Sequence, residues 1–286
     1  IYFDRCYCEV TVICGNPGEA VGRRGANSKA IRDECGWLVK FERKPPIHSK
    51  TIHDIRGYRS AQWKERKKLL KDFGLNIYRP KRPGNFWVRT TGLGSYREVG
   101  RACHLVTTNE SKIMIDVGVN IANDSDPMPY FTAPEALPME KMDAVILTHA
   151  HLDHAGMLPV LFRYGYRGPV FCTPPTRDMM LLLQSDYLKI GGAEGKRAPY
   201  DMEDIRTCMR HVVDVDWGQT VDITPDVKMT FHNAGHILGS SSVHLHVGDG
   251  KHNIVFSGDQ KYEKSWLFDA ANTRFPRCET LVIEST

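Results

Sequence analysis

The stretch Thr148-His149-Ala150-His151-Leu152-Asp153-His154-Ala155-Gly156 places three imidazoles and a carboxylate within six residues, directly after the apolar run at 144–147. A short apolar run is typical of a buried strand, so we expect the histidines to lie in the loop that follows it. In that loop His149 and His151 can face one metal ion while Asp153 and His154 face a second. A polar surface turn that happens to be rich in histidine is the alternative interpretation.

Two further strand ends carry side chains that could complete a metal site. His236 lies in a loop of small residues at 233–240, where the backbone can wrap closely around an ion, and Asp259 follows the apolar run at 253–256. A carboxylate can bridge two cations because each of its oxygens can bind one. Ligation by His and Asp without Cys suits two Zn²⁺ ions at a catalytic site, and the same donors are compatible with Mn²⁺ or Fe²⁺.

In this order along the chain, the candidate ligands resemble the successive motifs of the metallo-β-lactamase fold, in which Asp116 is the first. The flanking sequences Ser257-Gly258-Asp259 and Ile283-Glu284-Ser285-Thr286 resemble the β-CASP nucleases within that fold. The resemblance implies one metal held by His149, His151 and His236, and a second held by Asp153 and His154. It also implies that Asp259 bridges the two metals.

The resemblance implies roles in catalysis for three carboxylates. Asp116 would orient the attacking water, Asp259 would bridge the metals, and Glu284 would occupy the first β-CASP motif, where a carboxylate pairs with a downstream histidine. The chain departs from the family by ending at Thr286, where a β-CASP domain should begin. We therefore expect a fragment, a processed piece or half of a split protein, inactive on its own.

The N-terminal part of the chain differs from the rest in charge. Residues 1–85 hold 19 Lys and Arg against 9 Asp and Glu, a balance of +10, whereas residues 86–286 hold 19 against 25, a balance of −6. A basic segment of this kind is expected where a chain meets a polyanion. The basic run at 64–71 belongs to a helix predicted over 51–73; a solvated face is its simpler interpretation and RNA contact the alternative.

The basic segment contains a Gly-x-x-Gly loop, Gly22-Arg23-Arg24-Gly25, between a predicted short helix and a second helix over 27–35, with strands predicted over 9–14 and 37–42. This order resembles the core of a KH domain, whose loop clamps the backbone of single-stranded nucleic acid. Glycines allow close approach of the backbone, and the arginines suit phosphates. A simple turn between two helices is the alternative.

The predicted fold class is α+β, with a KH-like αβ module at 1–84 followed by the N-terminal part of a metallo-β-lactamase αββα sandwich at 85–286. The Pro-bounded basic segment 79–84 marks the predicted boundary. An amphipathic helix is predicted over 176–190. Its candidate core residues are Met179, Leu182, Leu183 and Leu188.

Composition bounds the protein class. Eight cysteines without CxxC pairs favour reduced thiols and a cytoplasmic protein over a disulfide scaffold. No apolar run approaches the roughly 20 residues needed to span a bilayer, so a membrane partner is not expected.

Taken together, the motifs resemble the archaeal ribonucleases related to the cleavage and polyadenylation specificity factor nuclease. The resemblance implies an enzyme, a two-metal phosphodiesterase acting on single-stranded RNA in 3′-end processing or transcription termination as an endonuclease, with 5′→3′ exonuclease activity as a further mode. Expected partners are RNA, the β-CASP half of the same protein and a second copy in a homodimer. A non-catalytic RNA-binding subunit and a small-molecule hydrolase of the same fold are the alternatives.

Overall fold

The computed structural model describes residues 1–123, 125–195 and 198–285. They form two compact units, Ile1–Lys71 and Asp72–Thr286. The division falls earlier than the predicted boundary after Gly84, because the residues between belong with the second unit. Phe73 is buried with its ring centroid 5.7 Å from that of His211, and an Arg79 nitrogen lies 3.0 Å from an Asp143 oxygen.

The first unit begins with a three-stranded sheet in the order β1-β2-β3, with β1 and β2 antiparallel and β2 and β3 parallel. The predicted single helix over 51–73 is two helices, because Gln62 leaves the helical conformation at φ −86° and ψ 15°. The elements are β1 Tyr2–Asp4, β2 Glu9–Cys14, α1 Pro17–Val21, a 3₁₀ turn Arg23–Gly25, α2 Ala26–Cys35, β3 Leu38–Arg43, α3 Lys50–Ala61 and α4 Trp63–Ile77, which runs into the second unit.

The second unit contains two sheets of six and five strands, each with its strands in chain order. Its elements are β4 Val88–Gly94, β5 Cys103–Thr108, β6 Lys112–Ile115, a 3₁₀ turn Met139–Lys141, β7 Ala144–Ile146, α5 Leu152–Ala155, α6 Leu158–Arg163, β8 Val170–Cys172, α7 Pro174–Ala193, α8 Met202–His211, β9 Val212–Asp214, β10 Thr220–Thr224, β11 Val227–Asn233, β12 Ser241–Val247, β13 His252–Phe256 and β14 Thr280–Val282.

The two sheets face each other across one apolar core, which confirms the predicted α+β class and the paired sheets. Side chains such as Ile115, Ile146 and Phe171 from β4–β9 meet Phe231 and Leu245 from β10–β14, all at 3% exposure or less. Burial of this alternating face is the main stabilising term for a sandwich. Strands β6, β7 and β8 run parallel, so their carboxyl ends meet at one edge of the six-stranded sheet.

Helix α7 is present as predicted, but its buried face is not the predicted one. Leu182 is 44% exposed, whereas Thr176, Met180 and Gln184, spaced four residues apart, are fully buried. A glutamine can lie in this core because its Nε2 donates to the carbonyl of Ala155 at 2.8 Å. The predicted core residues Met179, Leu183 and Leu188 are only half-buried. None of the described helices is long and apolar enough to cross a bilayer.

The outer face of the five-stranded sheet carries a buried histidine, His244 on β12, that is 1% exposed. The rings of Phe275 and His232 lie over it with centroids 5.7 Å away. Burial, with the neighbouring imidazoles of His246 and His232, lowers the pKa of His244 to about 4. The side chain is therefore neutral in the folded protein at neutral pH.

The depressed pKa of His244 predicts a pH-dependent loss of stability. In the unfolded chain His244 takes up a proton near pH 6.5, whereas in the folded chain it does so only near pH 4. Its contribution to stability is therefore complete above pH 6.5 and is lost as the pH falls from 6.5 to 4. From pH 7 to pH 5 this group should lower the free energy of unfolding by about 2 kcal/mol. Urea denaturation at both pH values should show a smaller loss in His244→Phe. An equal loss in both proteins would contradict the assignment.

Candidate metal centre

The His-rich loop follows β7 at the edge where the parallel strands end, as predicted, and neighbouring backbone fixes it there. The amide of Val117 donates to the carbonyl of His154 at 2.6 Å, and the amide of Ala102 donates to that of Asp153 at 2.8 Å. Gly118 lies so close that a Cβ on it would sit 1.6 Å from the Asp153 carbonyl oxygen. The loop conformation therefore depends on a residue without a side chain at position 118.

Three imidazole nitrogens and one carboxylate oxygen converge in a first donor group. The Nδ1 atom of His151 lies 3.1 Å from Nε2 of His149 and 3.2 Å from Nε2 of His236. The Oδ2 atom of Asp259 lies 3.8 Å from Nε2 of His149 and 3.5 Å from Nε2 of His236. The structure thus brings together the three histidines predicted for one metal and the carboxylate of Asp259.

A second donor group shares Asp259 with the first. The other carboxylate oxygen, Oδ1, lies 3.2 Å from Nε2 of His154, which in turn is 3.8 Å from Oδ2 of Asp153. The two oxygens of Asp259 therefore face different donor groups. The resemblance implied that Asp259 bridges two metals, and that role stays a prediction.

Both groups fit divalent metal ions by the chemistry and spacing of their donors. A tetrahedral ion with bonds of about 2.0–2.1 Å needs donors roughly 3.3 Å apart, and the spacings in the first group bracket that value. The donor set has no thiolate and combines imidazole with carboxylate, as catalytic zinc sites do. The second group supplies three protein donors and leaves coordination positions for water or substrate.

Asp116 orients the imidazole of His154. Its Oδ1 accepts from the amide of Thr148 at 2.8 Å, and its Oδ2 accepts from the Thr148 hydroxyl at 2.8 Å. The same Oδ2 lies 2.8 Å from Nδ1 of His154, so the opposite nitrogen of that ring points toward Asp259. Such carboxylate–histidine contacts fix the ring orientation of metal ligands. The predicted contact of Asp116 with the attacking water stays a prediction.

The imidazoles of the centre differ in charge. Burial lowers the pKa of His149 well below its ordinary value, and the neighbouring His154 adds to the effect. Burial likewise lowers the pKa of His151, so both offer lone pairs. Burial would also lower the pKa of His154, but the carboxylates of Asp116 and Asp259 outweigh the effect of burial and raise that pKa to about 10. In return His154 holds the pKa of Asp259 below its ordinary value, against the effect of burial.

The loops that carry His236 and Asp259 are held by short-range contacts. The Ser240 hydroxyl oxygen accepts from the amides of His236 and Ile237, both at 3.1 Å. Glu284, predicted to be catalytic, accepts from the amide of Gln260 at 2.6 Å and thereby braces the turn after Asp259. Its pairing with a histidine stays a prediction.

The predicted RNA-binding loop lies in the first unit. Gly22 and Gly25 have φ of +78° and +77°, and Arg24 between them has φ of +54°. The side chains of Arg23 and Arg24 are exposed. The glycines therefore serve a turn that most residues would strain, and the arginines face solvent.

Sequence reasoning missed the role of two residues of this centre. Thr148 was part of the quoted stretch, but its hydroxyl and amide proved to be the partners of Asp116. Gly118 directly follows the Asp116-Val117 pair, and its position two residues after a predicted site carboxylate was the only available signal. Neither role could be inferred without the close approach of the 116–119 and 148–156 segments.

Comparisons with known proteins agree with this geometry. A family model described as the metallo-beta-lactamase superfamily domain matches residues 105–280. The transcription termination factor FttA of Methanosarcina mazei is 50% identical over 285 residues, covering 100% of this chain and 45% of the relative. FttA of Methanothermobacter thermautotrophicus is 47% identical over 288 residues, with the same coverage of both chains.

The chain thus spans about 45% of the length of these relatives. Among solved structures, the metallo-beta-lactamase fold protein YhfI from Bacillus subtilis aligns with a TM-score of 0.39 at 18% identity. The alignment covers 62% of this chain and 64% of the YhfI chain.

The two donor groups predict separable losses of metal. We expect two Zn²⁺ ions per chain in equilibrium dialysis followed by elemental analysis. Either His236→Ala or Asp153→Ala should lower that number to about one, because each removes a ligand from one group only. Asp259→Ala should weaken both sites. His252→Ala, which removes an imidazole from β13, is the control and should retain both ions; retention of two ions by His236→Ala and Asp153→Ala would contradict the assignment.

The close approach at position 118 predicts a large effect of a single methyl group. In Gly118→Ala the new Cβ would overlap the Asp153 carbonyl, so the loop must move, at a cost of at least about 3 kcal/mol in unfolding free energy. Gly192→Ala is the matched control, since its Cβ in α7 meets nothing within 4 Å and should stabilise by about 0.5–1 kcal/mol. Urea denaturation measures both. Wild-type stability in Gly118→Ala would refute the packing argument.

Proposed function

Because this chain belongs to the metallo-β-lactamase superfamily, we propose that it is the metal-bearing part of a ribonuclease that cleaves single-stranded RNA. The observation that carries the proposal is the sharing of Asp259 between two donor groups, with Oδ2 toward His236 and Oδ1 toward His154. A pair of metal sites joined by one carboxylate suits the hydrolysis of a phosphodiester.

The donor sets define what each residue does. His149, His151 and His236 would hold the first ion, Asp153 and His154 would hold the second, and Asp259 would contribute one oxygen to each. Bound as a pair, Zn²⁺, Mn²⁺ or Fe²⁺ ions lower the pKa of water and stabilise the charge that develops on phosphate oxygens. Asp116 keeps the His154 ring in register by accepting from Nδ1, and Thr148 keeps Asp116 in place.

The first unit supports RNA as the substrate. Its exposed Arg23 and Arg24 lie in a glycine-bounded turn whose backbone a phosphate can approach, in the manner of a KH domain. The excess of positive charge over residues 1–85 adds a sequence-independent attraction for a polyanion. In this proposal the first unit binds single-stranded RNA and the second cleaves it.

The relatives support a place in transcription termination, since they bear the name transcription termination factor. RNA 3′-end processing belongs to the same proposal. They extend well beyond the matched segment, and we place the remaining catalytic groups, in a β-CASP domain, in the whole protein. Endonucleolytic cleavage is the proposed mode, with 5′→3′ exonuclease activity as the second. The whole protein would act as a homodimer in the cytoplasm.

The proposal predicts that cleavage and RNA binding can be separated. In the complete protein, Asp153→Ala and His154→Ala should each lower cleavage of a 5′-labelled single-stranded RNA by at least about a thousandfold, because one metal site loses a ligand. Affinity for the same RNA, measured by filter binding, should change less than about threefold.

The matched variant Arg23→Ala/Arg24→Ala should show the reverse pattern, with weaker RNA binding and unchanged metal content. Cleavage by Asp153→Ala at the wild-type rate would refute the metal-dependent mechanism. RNA binding by the wild-type protein without any cleavage in the presence of Zn²⁺, Mn²⁺ or Fe²⁺ would identify a non-catalytic RNA-binding protein instead.

A further inference from the structure

A cavity of 640 Å³ lies beside the loop that joins β4 to β5. We call it the loop pocket; its wall includes Tyr96, Arg97, Glu98, Arg101 and Tyr130. Its volume is in the range of about 300–1000 Å³ typical of sites for small molecules. The metal centre described above contains none of these residues.

The loop pocket and the metal centre lie at the same edge of the six-stranded sheet. His104, near the start of β5, pairs with Ile115 at the end of β6, and Ile115 pairs with Ile146 at the end of β7. Asp116 and the His-rich loop leave the sheet at those ends. The connection is direct, because Ala102, next to Arg101 in the pocket wall, donates from its amide to the carbonyl of the ligand Asp153.

The pocket wall is held in one shape by the buried side chain of Arg101. Its Nε lies 2.6 Å from Oε1 of Glu98, and its Nη1 lies 2.6 Å from Oδ2 of Asp126. The guanidinium also lies over the Tyr130 ring, 4.9 Å from the centroid. Ser95 and Arg97 keep φ of +69° and +65°, which non-glycine residues rarely adopt. Such a preorganised wall loses little entropy when a ligand binds.

The groups left available suit a nucleotide. Arg101 is neutralised by its two carboxylates, whereas the exposed Arg97 forms no ion pair or hydrogen bond with any residue in the described part of the chain. Tyr96 and Tyr130 are 57% and 54% exposed. A cation beside two accessible aromatic rings matches a phosphate attached to a base, since bases stack on aromatic side chains.

We propose that the loop pocket binds one nucleotide of single-stranded RNA next to the phosphodiester that is cleaved. In this arrangement Arg97 pairs with a backbone phosphate, and the exposed face of Tyr96 or Tyr130 packs against the base. This inference rests on the proposed ribonuclease function and adds a substrate-positioning site on the second unit. The pocket would hold the strand in register with the metal centre, independently of the Gly-x-x-Gly loop of the first unit.

The test is photochemical crosslinking of the complete protein to an oligouridylate that contains 4-thiouridine, with the crosslinked peptides mapped by mass spectrometry. We expect crosslinks within residues 94–101 or at Tyr130. Arg97→Ala should lower their yield by about tenfold, because a charged contact to phosphate is lost. It should also lower the slope of log affinity against log salt by about 0.7. Arg97→Lys, which keeps the charge, should restore part of both.

The matched control is Arg89→Ala, which removes an exposed arginine from the opposite end of β4, where Arg89 pairs with Thr107. It should leave the pocket crosslinks unchanged, and all variants should bind as much Zn²⁺ as the wild type. Equal loss in Arg97→Ala and Arg89→Ala would overturn the pocket as a specific site. Crosslinks confined to the first unit, with metal-dependent cleavage intact, would overturn the pocket and leave the ribonuclease proposal standing. Absence of both crosslinking and cleavage would overturn the two together.

Discussion

The arrangement of the metal centre in the second unit depends on the contacts that the Asp116 carboxylate makes with Thr148 and His154. It is 2% exposed, and a buried charge of this kind is tolerated only where its oxygens are paired. Thr148 supplies two donors and His154 supplies the third contact, so the end of β6 is tied to both ends of the His-rich loop after β7. The contact with Nδ1 orients the His154 ring so that its Nε2 faces Asp259.

The electrostatics of the centre depend on burial of the imidazoles and on the carboxylates beside His154. The Nδ1 atom of His151 lies 3.1 Å from Nε2 of His149, a spacing that two protonated imidazoles could not share. Burial lowers the pKa of His149 and His151 and keeps them neutral, whereas two carboxylates raise the pKa of His154. His149 and His151 therefore present unprotonated nitrogens, whereas protonated His154 forms an ion pair with Asp116 and Asp259. Bound cations would replace the proton of that ion pair.

The edge of the six-stranded sheet collects more than metal ligands. Parallel strands deliver their carboxyl ends there, and the antiparallel β4 and β5 add a loop at the same place because their shared connection must also lie at that edge. The contacts of Arg101 with Glu98 and Asp126 hold that loop in place, and the Ala102–Asp153 hydrogen bond joins it to the segment that carries the candidate ligands. The loop pocket therefore lies at the same edge of the sheet as the metal centre.

Local sequence determined the density of histidines at 149–154, the carboxylate after an apolar strand at Asp259 and the glycine-bounded turn at 22–25, because each depends on residue type and short spacing. The resemblance to the metallo-β-lactamase fold implied two sheets sandwiched between helices. The helix break at Gln62 and the buried face of α7 could not be predicted from the sequence. For α7 the reason is that the partners that bury Thr176, Met180 and Gln184 come from distant segments.

The tertiary structure alone decided which atoms meet. His151 and His236 are 85 residues apart in sequence. Their ring nitrogens lie 3.2 Å apart because the two sheets pack face to face and bring the ends of β7 and β11 together. The contact between Asp116 and His154 and the tight packing of Gly118 against the Asp153 carbonyl likewise join segments that are distant in sequence. A sequence lists the donors, but the free energy of the packed sheets sets the distances between them.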